Sequence, residues 1–441
     1  MQSPTSSNWT EQRAETQLRS LELFGMRFGL DRMRRMMTVL DSPDRSKIGQ
    51  RFDSIQVLGT NGKSSTTRMT AAILTRHGLR VGAYLSPHLV SYRERVLIDG
   101  VEIGADAFAG AVEHASAAAE LVNRTLAEDD HVTQFELLTA AALWQMAEAE
   151  VQVAVIEAGL GGRYDATSVI DAPLTVLTNV GLEHTRWLGP TVTDIAEEKL
   201  AVVREHGTLV LGEQLAAPAL AVAERVAKER GATIVRPTAL PANTELGARG
   251  AFQRRNFALA RAAAEAYLAS AGIEVDEAAI ADAALHTQVP GRLQLVSDDP
   301  PTLLDGAHNP DAVAALAQAL PEVLKRETLA LVLGVLEDKD AAAMLATLLP
   351  LCQRAWFTAP PSSRALSPAA LQSRARQLGF DDVSCVASPT QALAQAQSWA
   401  REHDAAVLAT GSVYLVGDLL GEITGSKTSA ELLQLPGQAS R

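Results

Sequence analysis

A chain of 441 residues exceeds what one hydrophobic core usually serves, and at roughly 100 to 200 residues per domain it predicts two or three, of which the pattern along the chain favours two. Its 47% hydrophobic and 21% charged residues supply large cores and argue against disorder except at the ends. A formal net charge of −13, with no Lys/Arg-rich run interleaved with aromatics, argues against a nucleic-acid partner.

No run of about 18 charge-free apolar residues predicts a membrane span, and the first residues lack a basic start and an apolar stretch, so a soluble cytoplasmic protein without a membrane partner is expected. Cys352 and Cys385, outside any metal-type spacing, are expected to be two buried thiols in a reducing compartment.

Short Val/Ile/Leu runs alternate with longer Ala-rich amphipathic segments, the pattern of parallel strands joined by helical crossovers. The fold class is α/β. In chain order the reading gives a strand at 55–58, a helix at 63–77 stopped by Gly78, a strand at 81–85, a helix at 135–149, and strands at 153–156, 175–178 and 208–211. An Ala-rich helical stretch follows. A second alternation then begins, with strands at 302–304, 330–333, 355–358 and 406–409. Pro290-Gly291 reads as the hinge, dividing the chain into an N-terminal domain at 1–289 and a C-terminal domain at 292–441.

IQVLGTNGKSSTTRM sets a glycine loop between an apolar strand and an amphipathic helix. Thr60, Asn61, Gly62, Lys63, Ser64 and Ser65 therefore read as a phosphate cradle, in which backbone N–H groups and a helix N-terminus meet phosphate oxygens and Lys63 adds a point charge. The spacing GxxGKSS is shorter than GxxxxGK[ST], which leaves a plain glycine turn as the competing reading. Three further strands end in polar groups, at Ser86, Glu157 and His184, and open α/β sheets bind ligands at such ends. Taken singly, each has a bland alternative: a helix cap for Ser86, an arginine partner for Glu157, a loop histidine for His184. Lys199 in IAEEKL reads, from composition alone, as part of a solvated helix face. In EAGLGGRYDAT the glycines suit a tight turn that lets Arg163 and Asp165 face a ligand.

Together these segments resemble the folylpolyglutamate synthase and dihydrofolate synthase family, a branch of the Mur ligases. The resemblance is carried by FGLDRM, GTNGKSS, LSPHLVSYRERV, TQFE, EAGLGGRYDAT, TNVGLEHTRWLG with EEK, PGR, LDGAHNP and TGSVYLVGD. It implies a larger ATPase-type domain built on a mostly parallel sheet, a smaller Rossmann-like C-terminal domain, and ATP with its substrates in the cleft between them. Position by position, it implies ATP contacts from residues 60–63 with Asn256, Arg292 and Asp305, and Mg²⁺ ligation, with two ions, by Ser86, Glu157 and His184.

The same resemblance places Lys199 on a lysine that becomes a carbamate. It places the pteroate or folate near Gly25, Met26, Arg27, Thr133, Gln134, Phe135, Glu136, Tyr164, Asp165 and Ala166, and gives His308 and Asn309 a part in glutamate binding. Ser64 stands where the family usually has glycine, so either Ser64 or Ser65 supplies the loop hydroxyl. Glu183 replaces a common Asp, and LAVV follows Lys199 where AGI is common. The activity implied is ATP-dependent addition of L-glutamate to dihydropteroate, to folates, or to both, and a monomer is expected. The alternatives are a Mur-type ligase acting on another acid and a nucleotide-hydrolysing switch.

Overall fold

The computed structural model describes residues 9–21, 28–41, 51–324 and 326–425. The chain forms two compact units. One holds the described residues up to Ser86 together with Tyr92–Ala242 and Arg255–Ala283; the other holds Pro87–Ser91, Asn243–Arg254 and the described residues from Ala284 onward. The second unit thus takes three short pieces, 87–91, 243–254 and 284–289, from the stretch that a contiguous division at 289 would leave with the first.

Chain order in the first unit begins α1 (Glu11–Ser20), α2 (Asp31–Leu40), β1 (Asp53–Leu58), α3 (Lys63–Arg76), β2 (Val81–Tyr84), β3 (Val96–Ile98), β4 (Val101–Glu102), α4 (Ala105–Asn123) and α5 (Gln134–Glu148). It continues through β5 (Val153–Glu157), β6 (Leu174–Leu177), α6 (Thr185–Leu188), α7 (Val192–Leu200), β7 (Thr208–Leu211), α8 (Ala217–Arg230) and β8 (Thr233–Val235). The division between units falls within the next two helices, α9 (Ala251–Ser270) and α10 (Glu277–His286).

The eight strands lie in the order β4-β3-β2-β5-β1-β6-β7-β8, parallel except where β3 pairs with β2 and β4. All five residues of β5 are buried, as expected of a parallel strand covered on both faces. On one face Tyr84, Ala154 and Ile156 pack with Leu18, Met33, Phe108 and Leu143, while Leu58, Leu177 and Leu211 pack with Ile195, Leu200 and Val222. Strand alternation turns Glu157 away from the face of Ile156, and α3 packs against β1, β2 and β5. Because β1 leads outward to β2 on one side while β5 returns between them and β6 starts the other side, the strand order reverses at β1. That is where such sheets open a crevice at their carboxyl ends.

The second unit runs β9 (Gln294–Asp298), β10 (Pro301–Leu304), α11 (Pro310–Val323), β11 (Leu329–Leu333), α12 (Ala341–Leu348), β12 (Arg354–Phe357), α13 (Pro368–Gln377), β13 (Val383–Cys385), α14 (Pro389–Glu402), β14 (Ala406–Thr410) and α15 (Val413–Thr424). Its sheet order is β13-β12-β11-β14-β10-β9, with only β9 antiparallel. Leu331, Leu333 and Leu408 face a core that includes Val313, Met344 and Leu371, whereas Ala330, Val332 and Val407 face Leu393, Leu415 and Leu419. Helices therefore cover both sides, the doubly wound arrangement expected.

One expectation is corrected here. Cys352 is buried and its Sγ donates to Leu348 O, but Cys385 ends the edge strand β13 and is exposed.

Candidate active site

The turn from β1 into α3 is braced from the end of β6. Asn179 Oδ1 accepts from Asn61 N at 2.8 Å and from Thr60 N at 3.2 Å, Thr60 Oγ1 accepts from Gly181 N at 3.0 Å, and Thr178 Oγ1 donates to Asn61 O at 2.6 Å. TNVG carries the resemblance but does not by itself reveal this bracing role. The polar Thr-Asn pair directly after an apolar strand was the available signal. Gly62 closes the loop with φ +81°, and a Cβ there would lie 2.6 Å from Asn256 Oδ1, so α9 presses its asparagine against the loop and only glycine fits. No side chain caps α3 at Gly62, which leaves the first helical N–H groups to a ligand.

Lys63 Nζ folds back to donate to Gly59 O at 3.1 Å and Thr60 O at 3.2 Å. Lys199 Nζ donates to the same Gly59 O at 2.9 Å. Two amines thus meet at one carbonyl. Lys199 is 4% exposed, which corrects the solvated-face reading: α7 turns it inward. Burial, reinforced by the neighbouring Lys63 charge, pulls the Lys199 amine down to about 7.

Glu157 ends β5 at 1% exposure, its Oε1 accepting from Ser64 Oγ at 2.9 Å and its Oε2 from Ser86 N at 3.1 Å. Ser86 begins no helix, so the cap reading fails there. His184 takes the left-handed conformation, φ 53°, at the start of α6, with Nε2 3.9 Å from Glu183 Oε1. Among the described residues no three or more His, Cys, Asp or Glu side chains gather as a metal cage. The donor set here, one carboxylate with serine hydroxyls beside a phosphate loop, nevertheless fits Mg²⁺, which prefers few protein oxygens and completes its shell with substrate phosphates and water.

The proposed acid-binding segments divide. Gly25, Met26 and Arg27 lie outside the described residues. Thr133 and Glu136 form the capping box of α5, and Glu136 also accepts from Arg32 Nε at 3.0 and 3.1 Å, while Arg32 Nη1 reaches Asp130 at 3.1 Å. This buried pair fixes the start of α5, a role that neither FGLDRM nor TQFE shows as a motif because its partners lie far apart in sequence. Gln134 Nε2 donates to Leu18 O and Tyr92 Oη. The ring of Phe135 packs against Gly159, where a Cβ would come within 2.5 Å of it.

Asp165, expected to face a ligand, turns inward. Its carboxylate accepts from Leu160 N at 2.7 Å, Thr167 N at 3.0 Å and Thr167 Oγ1 at 2.5 Å, and burial raises its pKa. Arg163 pairs with Glu198 at 3.1 Å, and Ala166 is buried. Tyr164, 48% exposed, offers an aromatic surface, in a trio with Phe28 at 6.1 Å and Trp187 beyond it at 5.5 Å from Phe28.

In the second unit Asp305 is buried after β10 and accepts from Leu293 N and Ala307 N, and burial raises its pKa against the opposing Arg292 charge. Arg292 Nη1 lies over Gly306, and His308 Nδ1 bonds Gly306 O at 2.8 Å. Asn309 caps α11 by accepting from Ala312 N at 2.9 Å.

A nucleotide-type loop on a doubly wound sheet, followed by a second doubly wound unit, is the arrangement the resemblance implies, and the family models show the class to be that of the Mur ligases. Residues 57–236 match the Mur ligase middle domain and residues 291–413 the Mur ligase glutamate ligase domain. The chain belongs to the folylpolyglutamate synthase/dihydrofolate synthase family. It is 34% identical over 389 residues to the dihydrofolate synthase/folylpolyglutamate synthase of Escherichia coli K12, covering 85% of this chain and 87% of that protein. A Haloferax volcanii protein named probable bifunctional folylpolyglutamate synthase/dihydropteroate synthase is 35% identical over 422 residues, covering 90% of this chain. This chain spans only 49% of that longer relative. The solved folylpolyglutamate synthase of Mycobacterium tuberculosis complexed with ADP and AMPPCP superposes with a TM-score of 0.85 at 29% identity, over 94% of this chain and 99% of that one. Among the described residues no helix is long and apolar enough to cross a membrane.

Proposed function

We propose that the protein is a cytoplasmic, monomeric ligase that uses ATP to join L-glutamate to dihydropteroate, to reduced folates, or to both. The observation that carries this reading is the meeting of Lys63 and Lys199 at Gly59 O, inside a loop braced by Asn179 and Asn256. Relatives named for both synthase activities, and a relative solved with ADP and AMPPCP, support the same substrates.

A carboxylate is a poor electrophile, so it must be activated. Its oxygen attacks the γ-phosphorus of ATP, the bond to the β-phosphate oxygen breaks, and ADP leaves. The glutamate amine then attacks the acyl phosphate carbon, phosphate departs with one of the original carboxylate oxygens, and the amine loses its proton to give the amide. The protein's share is placement and charge. The α3 N-terminus and loop amides hold the phosphates, and Lys63 swings from the loop carbonyls to the transferring group. Ser86, Glu157 and His184, with Lys199 as its carbamate, would hold two Mg²⁺ ions, which neutralise phosphate charge when bound. Arg292 and Asp305 would contact the nucleotide, and His308 and Asn309 the glutamate; the described acid-binding candidates are Phe135 and Tyr164, with Thr133, Gln134 and Glu136 as their support.

The test is phosphate release from ATP, assayed with glutamate and either dihydropteroate or a reduced folate. Release that needs both the acid and glutamate, and that falls about 10²- to 10³-fold in Lys63→Ala, is expected. Release indifferent to both co-substrates would instead identify a nucleotide-hydrolysing switch.

A further inference from the structure

Ser64 directly follows the loop lysine, at the position where the family resemblance implies glycine. Its hydroxyl does not point idly to solvent. Ser64 Oγ donates to Glu157 Oε1 at 2.9 Å, while Ser86 N holds Oε2 at 3.1 Å. Glu157 is the last residue of β5, the strand paired with β1, and Ser64 lies in the first turn of α3, which follows the loop leaving β1. Ser65, in contrast, is 3% exposed within α3. In nucleotide-binding proteins of the phosphate-loop kind, the hydroxyl directly after the loop lysine and an acid on a neighbouring strand together hold the nucleotide's Mg²⁺. The Ser64–Glu157 pair reproduces that combination of groups and chain positions. A hydroxyl that donates its proton to the carboxylate also keeps lone pairs free to face a cation.

We propose that Ser64 Oγ is itself a ligand of the nucleotide's divalent cation, acting beside Glu157, so that this chain has a phosphate-loop hydroxyl ligand that a glycine at this position could not supply. The proposal rests on reading the loop as the ATP site, and it answers which of the two loop serines serves the metal.

The experiment uses the full chain with ADP and Mn²⁺, following free Mn²⁺ by electron paramagnetic resonance, in the parent and in Ser64→Gly, Ser64→Thr and Ser64→Cys. Ser64→Gly should weaken Mn²⁺ in the ADP complex on the order of 10-fold, well beyond any change in ADP affinity measured in EDTA, and Ser64→Thr should hold Mn²⁺ as the parent does. Ser64→Cys should shift preference from Mn²⁺ toward the softer Cd²⁺. Parental Mn²⁺ affinity in Ser64→Gly, or no gain for Cd²⁺ in Ser64→Cys, overturns the proposal. So does an equal loss of ADP affinity with and without Mn²⁺, because that would mark Ser64 as a loop support. A parent that binds no ADP overturns the nucleotide site and this inference together. Neither acid nor glutamate is present, so a failure of the ligase reading alone does not move these measurements.

Discussion

Lysine is an unusual residue to bury beside a second cation, and Lys199 has both burial and Lys63 acting against its charge. Those two causes leave a large neutral fraction near pH 7, and a neutral amine is the form that adds to CO₂. Addition would replace a cation with an anionic oxygen ligand and relieve the repulsion from Lys63. With ¹³C-bicarbonate, the parent should show a carbamate carbon signal that Lys199→Ala lacks. The variant should lose most ligation and regain part of it when short carboxylates are added. Lys199→Ala activity equal to the parent without additives would remove the carbamate from the account. Composition placed this residue on a solvated face, since EEK is an ordinary surface pattern. Only the fold reveals that α7 points the lysine at Gly59.

At the level of elements, the Arg32–Glu136 pair links α2 to the first turn of α5. The carboxylate that caps α5 also satisfies the guanidinium, so removing the arginine leaves a buried charge uncompensated and strains the cap. Arg32→Ala is expected to cost about 3–5 kcal/mol in urea unfolding, and Arg32→Lys should recover only part because an ammonium cannot reproduce the fork. An unchanged unfolding midpoint in Arg32→Ala would show that the pair contributes nothing. The major strands were legible because parallel strands buried on both faces give continuous apolar runs such as VAVIE. Strands β3, β4, β8, β9 and β13 were not predicted. Four are two or three residues long, too short for a periodic signal, and β9 is a half-exposed edge strand. The same limit applies to the site. Motifs located TQFE and RYDA, but hydrogen-bond demand decides that Glu136 and Asp165 turn inward, while Phe135 packs against Gly159 and Tyr164 stays exposed.

Across the whole molecule, each of the two units is a doubly wound sheet, and the first concentrates its polar strand ends where the strand order reverses. The phosphate loop, Glu157, Ser86 and the Asn179 brace all follow from that topology, because β1, β5, β2 and β6 are neighbours in the sheet although far apart in sequence. Such an arrangement suits phosphoryl transfer to a carboxylate, in which placement and charge stabilisation do most of the work. The most direct test follows the oxygen that this chemistry moves. Dihydropteroate or a reduced folate labelled with ¹⁸O in both oxygens of the reacting carboxylate is incubated with ATP and glutamate, and the released phosphate is analysed by mass spectrometry. The account predicts one ¹⁸O in phosphate for each amide formed. Amide formation with unlabelled phosphate would contradict it.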